Sequence, residues 1–416
     1  MREMKDSGVE WIGKIPKDWE ITKNKYIFEI RSGDAINKAY LIENGSYPVY
    51  GGGECIGFCN SYNVKEEKNK KFLLIGRVGA RCGCITTING ACWATDNALI
   101  ASSKILNKYY MHALVAANLN QLSDSNAQPL ITATKILNLK MPNPSNDEKE
   151  KISMYLDKKC SEIDALATDI QKEITTLEQY KRSVITEAVT KGLDKDAEMK
   201  DSGVEWIGKI PKDWQICRLK YVLKEHLKYG ATETGIDYDE ALPRYIRITD
   251  ITSNGKLRET GKLSLTEMKA KDFILKDKTI LFARSGATVG KAFFYKKEYG
   301  RAAFAGYLIS AVINEKILLP EWVYYYVNTF SYWEWINSVF SQSTIQNIGA
   351  DKYSQMLIPI CPEIDKQRQI ILFLKAKCTE IDQMISDKQK QLSLLDSHKK
   401  SLIYEYVTGK KEVPPA

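Results

Sequence analysis

The chain has 416 residues, of which 44% are hydrophobic, and a net charge of +8. This length exceeds what one ordinary core accommodates and predicts two domains, while the hydrophobic content is typical of a globular chain, so neither half needs to be disordered. The mild positive charge permits a nucleic-acid partner without requiring one. No apolar run approaches the roughly 18 residues of a membrane span, and the N-terminus has no secretory hydrophobic region. The odd number of cysteines, nine, predicts free thiols in a reducing, cytoplasmic setting.

Two internal repeats divide the chain. Residues 3–19 (EMKDSGVEWIGKIPKDW) recur unchanged as residues 198–214, and residues 159–164 (KCSEID) recur as 377–382 (KCTEID). The second repeat recurs at a greater distance along the chain than the first, so the segment between the repeated blocks is longer in the second copy. The two copies therefore share a scaffold but enclose different segments. We therefore expect the following order along the chain: a globular domain over 1–145, a helix over 146–192, a second globular domain over 198–362 and a second helix over 363–410.

Both predicted helices carry one stripe that advances in alternating steps of four and three residues, as in a coiled coil. Neither 148–191 nor 364–408 contains proline or glycine, and Gly192 and Gly409 follow as stop signals. The stripe positions are Ile163, Ala167, Ile170, Ile174, Leu177, Lys181, Val184 and Ala188 in the first helix, and Ile381, Ile385, Lys388, Leu392, Leu395, Lys399, Leu402 and Tyr406 in the second.

The matched stripes favour an antiparallel pair of helices with a domain at either end. The alternative is two unrelated surface helices, each packed on its own domain. Lys181 and Lys399 lie on the stripe and either fix the register of the pair or face a partner subunit. The tryptophans of the 17-residue repeat are either an interaction surface or, as we prefer, pack each domain against the base of the opposite helix.

Each globular segment is predicted to be α+β. Short β-like runs separated by glycine clusters lie at 47–50, 72–75 and 98–101, and again at 245–248, 279–282 and 307–310. Helices are expected over 108–122 and 320–340. The second of these is rich in tryptophan and tyrosine, and aromatic residues at helical spacing are predicted to form core.

The sequence predicts no catalytic site, no cofactor and no metal. Residues 286–291 (GATVGK) resemble a phosphate loop but are one residue short and lack the Ser or Thr after the lysine. The chain has three histidines, and none is paired with a candidate nucleophile. The cysteines of the first segment have CxxxC and CxC spacings that fit zinc poorly and are not repeated in the second copy, so buried free thiols are expected.

Several segments resemble a known family. RSGATVGK (284–291), YIRITDI (245–251) and STIQNI (343–348) look like parts of the target-recognition domains of type I restriction–modification specificity subunits. Weaker counterparts in the first copy are YPVYGGGECIG (47–57), RVGA (77–80) and WATDNAL (93–99). The repeat DSGVEWIGKIPKDW is itself typical of this family, and the resemblance covers essentially the whole chain.

The resemblance implies an α+β protein with two target-recognition domains, separated by two long antiparallel coiled-coil helices and related by an internal pseudo-two-fold repeat. Such a chain is a non-catalytic subunit of an adenine-methyltransferase/endonuclease complex. Its partners would be double-stranded DNA and methyltransferase subunits, with or without a restriction/translocase subunit. Each domain would read one half of a split, asymmetric DNA target, while the helices set the spacer. A coiled-coil interaction scaffold without a DNA role is the competing hypothesis.

Candidate DNA-binding residues are basic or amide side chains beside glycine- or proline-marked loops. Arginine suits guanine, asparagine and glutamine suit adenine, and lysine and arginine also bind phosphate. Arg77 and Arg284 occupy matching positions although the two domains should read different bases, so shared residues are expected to touch phosphate or brace the fold. The candidates are Arg77, Arg81, Asn97 and Gln128 in the first domain, and Arg247, Arg284, Lys291, Gln346 and Asn347 in the second.

Overall fold

The computed structural model describes residues 2–65, 71–88, 90–103, 108–123, 129–252, 255–341 and 347–415. The chain divides into two compact units. Unit 1 contains residues 1–171 and 389–416, and unit 2 contains residues 172–388. Each unit therefore combines one globular segment with parts of both long helices.

The described part of unit 1 contains two four-stranded sheets. The first is antiparallel, and its strands in spatial order are Glu29–Ser32, Ala98–Ser103, Lys71–Gly76 and Ile85–Thr87. The second has the order Glu54–Cys59, Tyr47–Gly51, Ala91–Ala94 and Val64–Lys65, with one parallel pair between its two central strands. Two-stranded pairs join Met4–Asp6 to Lys14–Pro16 and Glu20–Lys23 to Lys140–Asn143. The short helices are Lys108–Ala116 and Ala133–Asn138, with 3-10 turns at Asn24–Tyr26, Lys38–Tyr40, Gly79–Arg81 and Leu119–Leu122.

Unit 2 repeats this plan with shorter strands. Its antiparallel sheet has the order Lys228–Tyr229, Leu308–Ala311, Ile280–Ala283 and Ala292–Phe294. Its second sheet has the order Ile236–Asp237, Leu263–Ser264, Arg244–Ile246 and Ala302–Phe304, the last two strands being parallel. Two-stranded pairs join Met199–Asp201 to Lys209–Pro211 and Gln215–Arg218 to Leu357–Ile360. The helices are Glu267–Ala270, Pro320–Tyr326, Phe330–Ser341 and Ala350–Ser354, with 3-10 turns at Leu219–Tyr221, Ile248–Asp250, Gly286–Thr288 and Lys297–Tyr299.

The predicted α+β class is confirmed, and the six β-like runs lie in or overlap observed strands. The aromatic segment of unit 2 is core, since Trp322, Tyr326 and Tyr332 are fully buried. Its helix is divided, however. The hydroxyl of Thr329 donates to the carbonyl of Tyr326 and accepts the amide N–H of Tyr332, so it ends one helix and caps the next.

The two long helices span Asn146–Lys191 and Ile364–Val407, and we call them the first and second long helix. In unit 1, the early part of the first helix pairs with the late part of the second, because Asp164 binds Lys399 and Tyr155 contacts Tyr406. The residue numbers run in opposite directions, which makes the pairing antiparallel. Unit 2 shows the same arrangement through the remaining parts of both helices.

The 17-residue repeat packs against a helix end in each unit. In unit 1, Trp19 is buried in a core with Tyr406 and Val407, and the hydroxyl of Tyr404 donates to the carbonyl of Ile12 over 3.1 Å. In unit 2, Trp214 is buried in a core that contains Ala188 and Val189, at the end of the first long helix. The repeat therefore joins each globular segment to the helix end of its own unit. Among the described residues, no helix is long and apolar enough to cross a membrane.

Candidate nucleic-acid interface

In unit 1, an arginine loop follows an inner strand of the antiparallel sheet. The strand Lys71–Gly76 ends at Arg77, whose amide N–H donates to the carbonyl of Asn97 over 2.9 Å. The carbonyl of Arg77 accepts the amide N–H of Ile131 over 2.9 Å. Its guanidinium approaches the Ser32 hydroxyl and the Asp96 carbonyl at 3.4 Å each. Four separate segments of the chain thus meet at this end of the strand.

Unit 2 builds the same loop at the same place in its sheet. The amide N–H of Arg284 donates to the carbonyl of Tyr307 over 3.0 Å, and its carbonyl accepts the amide N–H of Ile348 over 2.8 Å. The guanidinium stacks 4.7 Å from the ring centroid of Tyr229, and its Nε donates to Oδ1 of Asn347 over 3.3 Å. The backbone connections match those of Arg77, while the surrounding side chains differ.

The shared backbone explains the glycines of the motif. Gly79 and Gly286 have φ values of 69° and 75°, and Gly83 and Gly290 have φ values of 81° and 83°. This left-handed conformation is costly for residues with a Cβ. The two glycines of each loop therefore determine its path around the arginine in both units.

The guanidinium groups retain unused hydrogen-bond donors. Nε of Arg77 is buried and has no hydrogen-bond partner among the described residues. The terminal nitrogens of Arg284 likewise make no hydrogen bond or ion pair within the described part of the chain. Because that Nε is enclosed by the protein, the donor that Arg77 can offer to an external acceptor is Nη2, which makes no hydrogen bond or ion pair within the described residues.

Two other predicted arginines are already paired. Arg247 makes a bidentate ion pair with Asp250, whose closest nitrogen–oxygen distance is 2.7 Å, and also donates to the carbonyl of Gly261. The hydrogen bonds that Arg247 donates to the carboxylate of Asp250 raise the pKa of Arg247. Arg81 is exposed and lies 3.1 Å from a carboxylate oxygen of Glu54.

The remaining candidates fall into two groups. Asn97 is exposed and Lys291 is half-buried, and neither side chain makes a hydrogen bond or ion pair within the described residues. Gln128 and Gln346 lie outside the described residues. The sequence analysis missed Tyr307 and Tyr229, which are 63% and 42% exposed beside Arg284. Tyr307 could have been found from its strand, because it directly precedes Leu308–Ala311 as Asn97 directly precedes Ala98–Ser103.

Away from the arginine loops, burial shifts the pKa of two titratable groups. Burial lowers the pKa of His112, whose Nε2 lies 2.9 Å from Asp157. Burial raises the pKa of the Cys92 thiol to about 11. All nine cysteines are free, and the part of the chain that the structure describes contains no group of three potential metal ligands.

The sequence also matches a family model described as type I restriction modification DNA specificity domain, over residues 16–176 and 211–393. These segments make up most of the chain and include both arginine loops. The chain belongs to this family. Type I specificity proteins are non-catalytic DNA-recognition subunits, so membership gives this chain its DNA-recognition role and does not favour the scaffold hypothesis.

Relatives of this specificity protein agree with the assignment. It is 34% identical over 139 residues to the type I restriction enzyme EcoprrI specificity subunit of Escherichia coli, covering 32% of this chain and 33% of that protein. It is 23% identical over 428 residues to the MjaVIII specificity subunit of Methanocaldococcus jannaschii, covering 96% and 94%. A solved chain from a study of complex assembly in the type I R-M system has a TM-score of 0.64 at 11% identity, covering 95% of this chain and 99% of that one. That likeness shows a shared fold.

Proposed function

We propose that this specificity subunit reads a bipartite, asymmetric target in double-stranded DNA, with the domain over 1–145 reading one half and the domain over 198–362 the other. The observation that carries the proposal is the arginine loop, which the same backbone hydrogen bonds build once in each unit. Two similar frameworks with different surrounding side chains suit two different half-sequences.

Arg77 and Arg284 are assigned to the phosphate backbone. Each has guanidinium donors without acceptors in the described residues, and phosphate oxygens are suitable charged acceptors. Because both copies have this arginine, it does not distinguish the two halves. Arg247 is assigned a bracing role, since Asp250 already occupies its guanidinium.

The long helices are assigned to setting the spacer and binding methyltransferase subunits. Large apolar side chains are exposed at repeat-related positions, with Met154 and Leu372 exposed by 68% and 66%, and Leu166 and Met384 by 50% and 48%. Exposed apolar side chains at matching helical positions suit a protein partner. A restriction/translocase subunit would be a further member of the same complex. The partner subunits, and not this chain, would carry out the catalytic reactions.

The deciding experiment is to co-express this chain with the methyltransferase subunit encoded beside it and to map methylated adenines by single-molecule sequencing. We expect a split, asymmetric motif with a fixed spacer that disappears when this chain is deleted. An unchanged methylation pattern with an intact complex would contradict the proposal and leave the coiled-coil interaction scaffold.

Variants of the arginines test their assignment. Arg77→Gln and Arg284→Gln should each weaken binding to target and non-target duplexes by similar factors, and reduce the salt slope of log affinity by about one. Arg368→Gln, on the exposed surface of the second long helix, is the control. A changed motif in either arginine variant would instead assign that arginine to base reading.

A further inference from the structure

The two arginine loops locate side chains that differ while their backbone positions match. Asn97 and Tyr307 are equivalent because each carbonyl accepts the amide N–H of the loop arginine. Leu130 and Asn347 are equivalent because each forms the isolated β-bridge with the residue after that arginine. Two domains that recognise different DNA sequences need different side chains at equivalent positions, and these positions lie beside an arginine that both domains share.

These side chains are available to a ligand. Asn97 is exposed and its amide has no hydrogen-bond partner within the described residues. The Tyr307 side chain is 63% exposed, although its backbone is fixed by Arg284. The ring of Tyr307 lies outside the hydrophobic core clusters of its unit, so core packing does not account for it.

Their chemistry indicates what each can read. The amide of an asparagine offers one acceptor and two donors, and fits N6 and N7 of adenine in the major groove. Oδ1 of Asn347 accepts from Arg284, which leaves its NH₂ group to donate to a base acceptor. Tyr307 adds a ring that can contact a base and a hydroxyl that can donate or accept.

We propose that Asn97 in unit 1, and Tyr307 with Asn347 in unit 2, contact base edges and set the two half-sequences. This assignment rests on the proposed function and adds the identity of the base-reading residues. Asn97 reads an adenine in one half. Tyr307 and Asn347 read the other half, beside the phosphate-bound Arg284.

The test uses the complex co-expressed with its methyltransferase subunit and maps methylated motifs for Asn97→Ala and Tyr307→Ala. We expect each variant to relax one position of one half, with discrimination falling about 5- to 100-fold, and to leave the other half unchanged. Asn138→Ala and Tyr221→Ala are matched controls, because Asn138 is exposed in unit 1 and Tyr221 is 60% exposed in unit 2. Both controls should keep the parental motif.

Asn97→Asp is a more specific test, because it changes the hydrogen-bonding groups of the side chain and keeps its size. A carboxylate only accepts hydrogen bonds, so the preference at that position should move from adenine towards cytosine, whose N4 donates. Thermal unfolding of each purified complex checks that the fold is kept.

The outcomes separate the two proposals. If the parental complex gives a split motif but folded Asn97 and Tyr307 variants give the same motif, this assignment is wrong and the proposed function stands. If Asn97→Ala alters both halves, the assignment of Asn97 to one half is wrong. If the parental complex gives no split motif, the proposed function itself fails.

Discussion

The ammonium group of Lys181 lies 2.7 Å from both carboxylate oxygens of Asp382 in unit 2. Unit 1 contains the repeat-related pair, in which Lys399 lies 2.7 Å from both carboxylate oxygens of Asp164. Lys181 and Lys399 therefore each bind an aspartate of the opposing helix, and the third lysine of the stripe, Lys388, pairs with Glu173. These contacts between antiparallel helices favour the register role of Lys181 and Lys399 over contact with a partner subunit.

Reversing one charge of this pair should destabilise the helix pairing of unit 2. Lys181→Asp would oppose two carboxylates, and we expect a loss of roughly 1 kcal/mol that shrinks at high salt, since exposed pairs contribute about 0.2–1 kcal/mol. Adding Asp382→Lys should restore most of the loss. Thermal unfolding at low and high salt measures both effects.

Lys400→Asp is the control for this prediction, because Lys400 pairs with Asp396 on its own helix. If the doubly exchanged variant is no more stable than Lys181→Asp, the pair does not set the register.

Lengthening the helices should change the DNA spacer and leave both half-sequences unchanged. The antiparallel register places the insertion point after Leu177 opposite Met384 and Ile385, so one heptad is added after each of Leu177 and Met384. Adenine-methylation mapping of the complex measures the spacer.

A heptad in the first helix alone would shift one Lys–Asp pair out of register and should destabilise the protein. A change in the recognised bases would contradict the spacer role.

Acid should weaken the base of the first long helix through Glu148. Burial raises the pKa of Glu148, but hydrogen bonds from Arg2, Trp19 and Ser145 outweigh it, and the net pKa is lowered from its usual 4.5. A lowered folded-state pKa means that the unfolded chain binds more protons, so this stabilisation is complete above about pH 5 and is lost as pH falls through the folded pKa. Glu148→Gln should cost about 1 kcal/mol at pH 7 and progressively less towards pH 3.

Urea unfolding between pH 3 and 7 checks the Glu148 prediction, with exposed Glu150→Gln as control. A Glu148→Gln deficit that stays constant with pH would show that the carboxylate charge is not responsible.

The cysteines should separate by reactivity in the native protein. The pKa of about 11 at Cys92 leaves roughly one thiolate in a thousand at pH 8, and its side chain is fully buried. Cys55 and Cys84 are exposed and should be alkylated first by iodoacetamide. Peptide mass spectrometry before and after denaturation measures the order, and equal labelling of native Cys92 would contradict its burial.

Several features follow from the sequence because they depend on neighbouring residues. The alternating stripe predicted both long helices, and the glycine-separated apolar runs predicted the strands. The identical 17-residue segments predicted two copies of one scaffold, and RSGATVGK carried the resemblance to the family. Local patterns of this kind reflect helix and strand periodicity, which the chain expresses whatever its distant contacts.

Other features depended on residues far apart in the chain, and only the tertiary structure decided them. The sequence left Lys181 and Lys399 open between register and partner binding, could not show that the candidate Arg247 pairs with Asp250, and did not single out Tyr307. Opposing helices, sheet edges and loops meet only after the chain has folded, and hydrogen bonds and ion pairs form where charge and distance then match. The sequence determined the repeated framework, and the folded contacts decided which side chains within it already have hydrogen-bond or ion-pair partners.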